Sequence, residues 1–166
     1  MEKMYNMTDY EKTYAEFKWE VPEYFNFSRD IIDKWAEDPE KLAMVCIDDN
    51  GNELKKTFKD LRDTSKRLAS FLTKEGIRRG DVVVVILGRE PEWWEILTAC
   101  IRMGAIVTPG TTQLTSKDLE YRINTAEAAC FITNEVIAPK LEEIWKSCPT
   151  LRTNILKSLH NFRLNI

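Results

Sequence analysis

Six consecutive apolar residues, Val82 to Leu87, constrain this chain more than any other stretch. A strand with one wet face alternates apolar and polar residues, whereas a Val-rich run that is apolar throughout fits a strand covered on both faces. That coverage is normal in a parallel sheet flanked by helices. Asp81 leads into the run, and Pro91 fits the first turn of the helix that follows. In that helix Trp93, Trp94, Ile96, Leu97, Cys100, Ile101 and Met103 leave only a narrow polar stripe of Glu92, Glu95 and Arg102. The spacing predicts a largely buried helix closed by Gly104. Ala105 to Thr108 reads as the next strand, broken by Pro109-Gly110. Thr115 and Asp118 have capping-box spacing and open a helix to about Ala126. Ala129 to Thr133 is a predicted strand. Val136 to Ser147 is a predicted helix with Pro139 in its first turn, and Thr153 to Leu156 is a last strand. Strand and helix alternate from about Asp81 onwards, the pattern of right-handed βαβ units in a parallel sheet.

The residues before this alternation read differently. Met1 to Tyr24 is predicted as an irregular lead-in with scattered aromatics, lying across a larger body. Ser28 is a predicted N-cap for a short helix to about Glu37, with Ile31, Ile32, Trp35 and Ala36 on its apolar face. Leu42 to Ile47 and Glu53 to Thr57 are the arms of a predicted β-hairpin. Asn50-Gly51 between them tolerates the positive φ of a tight turn. Thr57 and Asp60 repeat the capping-box spacing. Leu61, Thr64, Leu68, Phe71 and Leu72 form the apolar face of that helix, and Gly76 fits the left-handed position that ends it.

Charge and cysteine usage exclude several classes. Lys and Arg number 24 against 27 Asp and Glu, a net charge of -3, so no field of either sign favours nucleic acid as a partner. The polar stretch from Met1 to Lys18 has no signal-peptide core, and Val82 to Leu87 is far too short for a membrane span. A cytoplasmic chain is the expectation. The four cysteines, Cys46, Cys100, Cys130 and Cys148, form no CxxC pair, and His160 is the lone histidine, which argues against structural zinc. Cys46, Cys100 and Cys130 sit in apolar runs and are expected to be buried thiols in a reducing cytosol.

Motifs that hold chemistry are few. The six glycines form neither GxGxxG nor GxxxxGK[ST], and no Ser/Thr/Gly-rich loop is followed by Lys. No GxSxG elbow exists, and His160 reads as a solvated tail residue. One loop stands out: Pro109-Gly110-Thr111-Thr112-Gln113-Leu114-Thr115, between a predicted strand and a helix N-terminus. Ligands in open α/β sheets gather beyond the carboxyl ends of strands. The loop offers three hydroxyls, the two-way hydrogen bonding of Gln113, and a helix-dipole end that favours an anion by ~0.3–1 kcal/mol when exposed. An ordinary turn and helix cap fits the same residues. Trp93 and Trp94 read as core packing, not as a stacking site, and Arg78-Arg79 as a solvated turn.

Gly80 to Thr115, GDVVVVILGREPEWWEILTACIRMGAIVTPGTTQLT, closely resembles the medium-chain acyl-CoA synthetases of the AMP-forming, adenylate-forming superfamily. FNFSRDIID (Phe25 to Asp33) is similar to that family's entry helix, TFKDL (Thr57 to Leu61) to its first conserved box and RMGAIVTP (from Arg102) to its second. The PEWW and PGTTQ stretches are the more specific signals. The resemblance covers about Tyr24 to Thr150. It implies an α/β fold, here an incomplete N-terminal subdomain with a β-hairpin and alternating strand–helix units in a mostly parallel sheet. It implies a ligase that uses ATP, Mg2+ and coenzyme A to activate a small-molecule carboxylic acid, first as acyl-AMP and then as acyl-CoA. Gln113 matches a coenzyme A-binding glutamine of the family, with Thr111 and Thr112 as weaker neighbours. No catalytic residue and no metal ligand carries over.

The family's phosphate loop, ribose-binding aspartate and C-terminal lysine all follow the matched region and have no counterpart in this sequence. The expected division is a lead-in over 1–24, a truncated synthetase region over 25–156, and a divergent tail over 157–166 (KSLHNFRLNI). A chain so cut is expected to be inactive alone, to be completed by a separate polypeptide if at all, and to expose apolar sheet faces and an unpaired strand edge. The alternative is a stand-alone α/β binding or interaction module. Hypothesis: a frameshift or early stop has cut the gene. Translation of the downstream DNA in all frames is expected to recover synthetase-like sequence, and its absence would count against the cut.

Overall fold

The computed structural model describes residues 8–158 and 161–164, so His160 lies outside the described residues. The lead-in is not irregular throughout: Tyr10–Glu16 form helix α1, whose first turn is capped by the Asp9 carboxylate. No residue of α1 is buried.

The next helical segment begins before Ser28, contrary to the sequence expectation. The Asn26 side-chain oxygen accepts from the N–H groups of Ser28 and Arg29, and the Asp30 carboxylate accepts from the Asn26 N–H. Ser28–Ile32 then wind as a π-helix that runs into helix α2, Asp33–Trp35. Ser28 is fully buried, and its hydroxyl donates to the Thr98 carbonyl at 2.7 Å. Its partner lies 70 residues away, beyond the reach of local capping rules.

Strands β1 (Leu42–Ile47) and β2 (Glu53–Thr57) pair antiparallel as a separate two-stranded sheet. Asp48 organises the turn, which is longer than the tight Asn-Gly reversal expected. Its carboxylate accepts from the N–H groups of Asn50 and Asn52 and from the Asn52 amide. Helix α3 (Phe58–Lys74) starts with the Thr57–Asp60 capping box and stops before Gly76, at φ 88°.

The second sheet carries the core. In chain order it comprises β3 (Val82–Ile86), helix α4 (Glu92–Met103), β4 (Ile106–Gly110), helix α5 (Ser116–Thr125), β5 (Cys130–Asn134), helix α6 (Ala138–Ile144), β6 (Thr153–Ser158) and β7 (Asn161–Leu164). Spatial order is β4-β3-β5-β6-β7, parallel except for the antiparallel pairing of β6 with β7. Val83 and Val85 face one core, with Leu68 and Leu72 of α3 and Ile96 and Cys100 of α4. Val84 and Ile86 face the other, with Leu119 and Ile123 of α5 and Leu141 and Ile144 of α6. The expected bare faces are therefore absent from β3 and β5. Exposed apolar side chains collect instead on the hairpin (Leu42, Val45, Ile47, Leu54) and at Ile106 on β4.

Two expectations about local structure fail for tertiary reasons. Pro109-Gly110 do not break β4; they pair with Val85 and Ile86 of β3. An edge strand tolerates proline because many of its N–H groups have no ladder partner, and β4 is an edge. Helix α4 is also rotated relative to its sequence reading. Trp94 is 57% exposed, whereas Glu95 is only 3% exposed. Trp93 is half-buried against the first core and meets Trp94 edge-to-face.

Polar staples fix the peripheral elements. Glu95 pairs with Lys56 of β2, tying the hairpin to the main body. Arg102 binds both Asp33 carboxylate oxygens, at 2.7 and 3.0 Å, and reaches the Ser65 hydroxyl. Burial pushes the Asp33 carboxyl up, but the hydrogen bonds and charges of Arg102 and then Lys66 hold it below the usual value.

The two ends of the Lys56–Glu95 pair differ in exposure, 21% against 4%. K56M strands a buried carboxylate and is expected to cost about 2–4 kcal/mol. E95Q leaves an ammonium that reaches water and is expected to cost about 1 kcal/mol. Urea unfolding of both variants checks this, and equal losses would contradict it.

Candidate functional site

The loop singled out in the sequence lies at the carboxyl edge of the parallel sheet, between β4 and α5. Gly110 sits there close to two side-chain methyls, which a Cβ would force to shift. A Cβ would stand 2.5 Å from Ile86 Cδ1 and 3.0 Å from Leu114 Cδ1. Thr111, Thr112 and Gln113 are exposed, while Leu114 packs against the second core. The Thr111 hydroxyl accepts from the Gln113 N–H, and the Thr111 carbonyl from the Leu114 N–H, both at 3.3 Å. Lys140 of α6 reaches over and donates to the carbonyls of Thr112 and Leu114, at 3.1 and 2.7 Å.

The end of the loop is already committed. The Thr115 hydroxyl accepts from the Asp118 N–H and donates to the Asp118 carboxylate, which also accepts from the Thr115 N–H. These bonds from the Thr115 hydroxyl and then its backbone hold the Asp118 carboxyl below its usual value. An ionised carboxylate thus sits in the first turn of α5 and offsets the positive dipole end that the sequence had offered to an anion. Thr115 is a cap and Thr111 supports the turn, while the Thr112 and Gln113 side chains stay exposed. Beside the loop lies a cleft of about 510 Å³, lined by Thr108, Leu114, Asp118, Tyr121 and Arg122.

The strand order marks a second place that the sequence reading did not single out. The chain leaves β3 for β4 on one side and returns to β5 on the other, which makes β3/β5 the topological switch point. There the Thr133 hydroxyl donates to the Ile86 carbonyl at 2.9 Å, and the Asn134 amide donates to the Glu90 carboxylate at 2.8 Å. The Asn134 side-chain oxygen also accepts from the N–H groups of Val136 and Ile137. A Thr-Asn pair closing an apolar strand was the available signal. A cleft of about 420 Å³ adjoins this end, between the hairpin and the β3–α4 loop, with Ile47, Arg89, Trp93 and Trp94 in its walls.

Among the described residues, no group of three or more His, Cys, Asp or Glu side chains is placed to hold a metal ion. Cys100, Cys130 and Cys148 are buried free thiols, and Cys46, expected to be buried, is only half-buried on the hairpin. Burial pushes the Cys100 thiol up to about 12 and the Cys130 thiol higher still, so neither is a nucleophile at neutral pH. Arg78 is less free than a solvated turn implies. Its guanidinium donates to the carbonyls of Thr73 and Ile77, and its N–H to Asp81.

A sheet of this order, with helices on both faces of β3 and β5 and an exposed polar loop at its carboxyl edge, defines an open α/β unit, a class in which ligands generally gather beyond the strand ends. The family model for AMP-binding enzymes matches residues 32–164, and the chain belongs to that family. It is 39% identical to the acyl-coenzyme A synthetase ACSM3, mitochondrial, of Homo sapiens over 160 residues, which are 92% of this chain and 27% of that protein. A crystal structure of Brucella canis acyl-CoA synthetase superposes with a TM-score of 0.74 at 30% identity, covering 92% of this chain and 28% of that one. The anthranilate CoA ligase AuaEII, solved in complex with anthranoyl-AMP, shares the fold at a TM-score of 0.70 and 21% identity, over 82% of this chain and 26% of its own. The chain therefore spans about a quarter of the length of the relatives it matches.

The space at Gly110 gives a direct test. G110A drives a methyl into Ile86, which is 1% exposed. It is expected to lower stability by about 1–3 kcal/mol through overpacking, read as a shift of the urea midpoint. An unchanged midpoint would show that the loop relaxes freely.

Proposed function

We propose that this chain is the N-terminal part of an acid–CoA ligase acting on a medium- or short-chain carboxylic acid. In the reaction, a carboxylate oxygen attacks the α-phosphorus of ATP, forming acyl-AMP as pyrophosphate leaves. The thiol sulfur of coenzyme A then attacks the acyl carbon, AMP leaves with the bonding pair, and the thiol proton passes to solvent. Both steps depend on charge neutralisation and on holding the reactants in register. The observation that carries the reading is the family match over residues 32–164, which takes in the PGTTQ loop.

Within that reading the chain's own residues bind coenzyme A and do no bond making. Gln113 hydrogen-bonds the coenzyme, with Thr112 beside it and Thr111 bracing the turn. ATP and Mg2+ belong to the complete enzyme, and Mg2+ coordination is assigned to no residue here. The division is a lead-in over 1–24, a synthetase region over 25–156 and a tail over 157–166. No described helix is long and apolar enough to cross a membrane. The reading places the protein in the cytoplasm; the mitochondrial relatives make the mitochondrion the competing location, which cell fractionation distinguishes.

A stand-alone binding or interaction module is the second reading. The hairpin's exposed Leu42, Val45, Ile47 and Leu54, together with exposed Trp94, favour it, because they present apolar surface to a partner. Calorimetric titration with coenzyme A and ATP–pyrophosphate exchange with a panel of acids separate the two. Coenzyme A binding that Q113A weakens about tenfold or more, without exchange, is the expected result. Exchange by the 166-residue chain alone would overturn the incomplete-enzyme reading. Neither activity, together with self-association in the ultracentrifuge, would favour the module.

A further inference from the structure

We propose that Lys140 is a positioning residue for the Gln113 loop, a role that rests on the coenzyme A reading only for its consequence in binding. The loop between Gly110 and Thr115 has little backbone support of its own. Its two internal N–H bonds, from Gln113 to the Thr111 hydroxyl and from Leu114 to the Thr111 carbonyl, are both long at 3.3 Å. Lys140 adds two charge-assisted bonds, to the Thr112 carbonyl at 3.1 Å and the Leu114 carbonyl at 2.7 Å. These carbonyls bracket Gln113, one residue before it and one after. An ammonium that holds both fixes the Thr112–Gln113 and Leu114–Thr115 peptide planes, which flank the Gln113–Leu114 unit, and so limits where the Gln113 side chain can go. Ionised donors of this kind bind more strongly than neutral ones.

The helix that carries Lys140 is itself seated on the loop's far end. Glu143 of α6 accepts from the Ser116 hydroxyl at the start of α5, and Leu141 shares the second core with Leu119, with Leu114 packed against it. Lys140 therefore acts from an anchored helix. It is half-buried, and both its bonds go to backbone carbonyls, so its geometry does not depend on which side chains occupy Thr112 or Leu114. Sequence spacing gives no hint of the link, since residues 26 and 28 positions apart make it.

The test compares K140M, which keeps the aliphatic stem and removes the donors, with K140R, which restores two donors. Amide hydrogen exchange at Gln113 and Leu114 is measured by NMR in the full chain, with the urea midpoint as the control for folding. K140M is expected to speed exchange at these two amides about tenfold or more, while amides in β3 and β5 are unaffected. K140R is expected to return both rates to within about threefold of the unaltered chain. Coenzyme A titration is expected to follow the same order, weaker by about tenfold in K140M and recovered in K140R. Unchanged exchange in K140M, or a failure of K140R to restore it, would overturn the positioning role. Exchange decides that role whether or not the coenzyme binds; absence of binding by the unaltered chain overturns the coenzyme A reading alone.

Discussion

The burial of β3 on both faces is the constraint on which the molecule depends. Val83, Val84, Val85 and Ile86 are each at most 1% exposed. Fully burying such a side chain contributes about 1.5–3 kcal/mol, so the strand commits a large share of the driving force to one line. Successive side chains point to opposite faces, and each face then needs its own helices. α3 and α4 supply one layer and α5 and α6 the other. Because β3 pairs parallel with both β4 and β5, the loops that leave these three strands all emerge at the carboxyl edge, and the Gln113 loop follows the strand next to the switch point.

Apolar layering does not by itself orient the outlying pieces. The hairpin is a separate sheet, and its bond to the body runs through Lys56 and the buried Glu95. The π-helix and α2 are held by Arg102, which spans Asp33, Ser65 and the Ser28 carbonyl. Such staples contribute less net stability than an equal volume of apolar packing. Their value here is direction, because a carboxylate at one place on α4 accepts a lysine from one register of β2 only. The loop is held by the same means, with Lys140 replacing side-chain partners by two backbone carbonyls.

The loop also shows how one local feature excludes another. Asp118 satisfies the first turn of α5 and neutralises its dipole end, so the anion site suggested by a helix N-terminus is already filled by the protein's own charge. What is left for a ligand is neutral hydrogen bonding from Gln113 and Thr112, with a cleft beside it.

Local chemistry was enough to determine much of this protein. The apolar run at β3 implied a two-sided parallel sheet, the Thr57–Asp60 and Thr115–Asp118 spacings set two helix starts, and Gly76 and Gly104 marked helix ends at positive φ. These signals are legible because each depends on groups within about one turn of one another. PEWW and PGTTQ likewise carried the family resemblance, which the family match over residues 32–164 bears out. Tertiary contacts decided the rest. Ser28 is interior because Thr98 takes its hydroxyl, Glu95 is buried because Lys56 meets it, Trp94 is solvated because α4 turns that flank outward, and Pro109 stays in a strand because β4 has an open edge. Each of these turns on a partner, or a missing neighbour, set by the packing of distant elements, and no local pattern encodes which distant group will arrive.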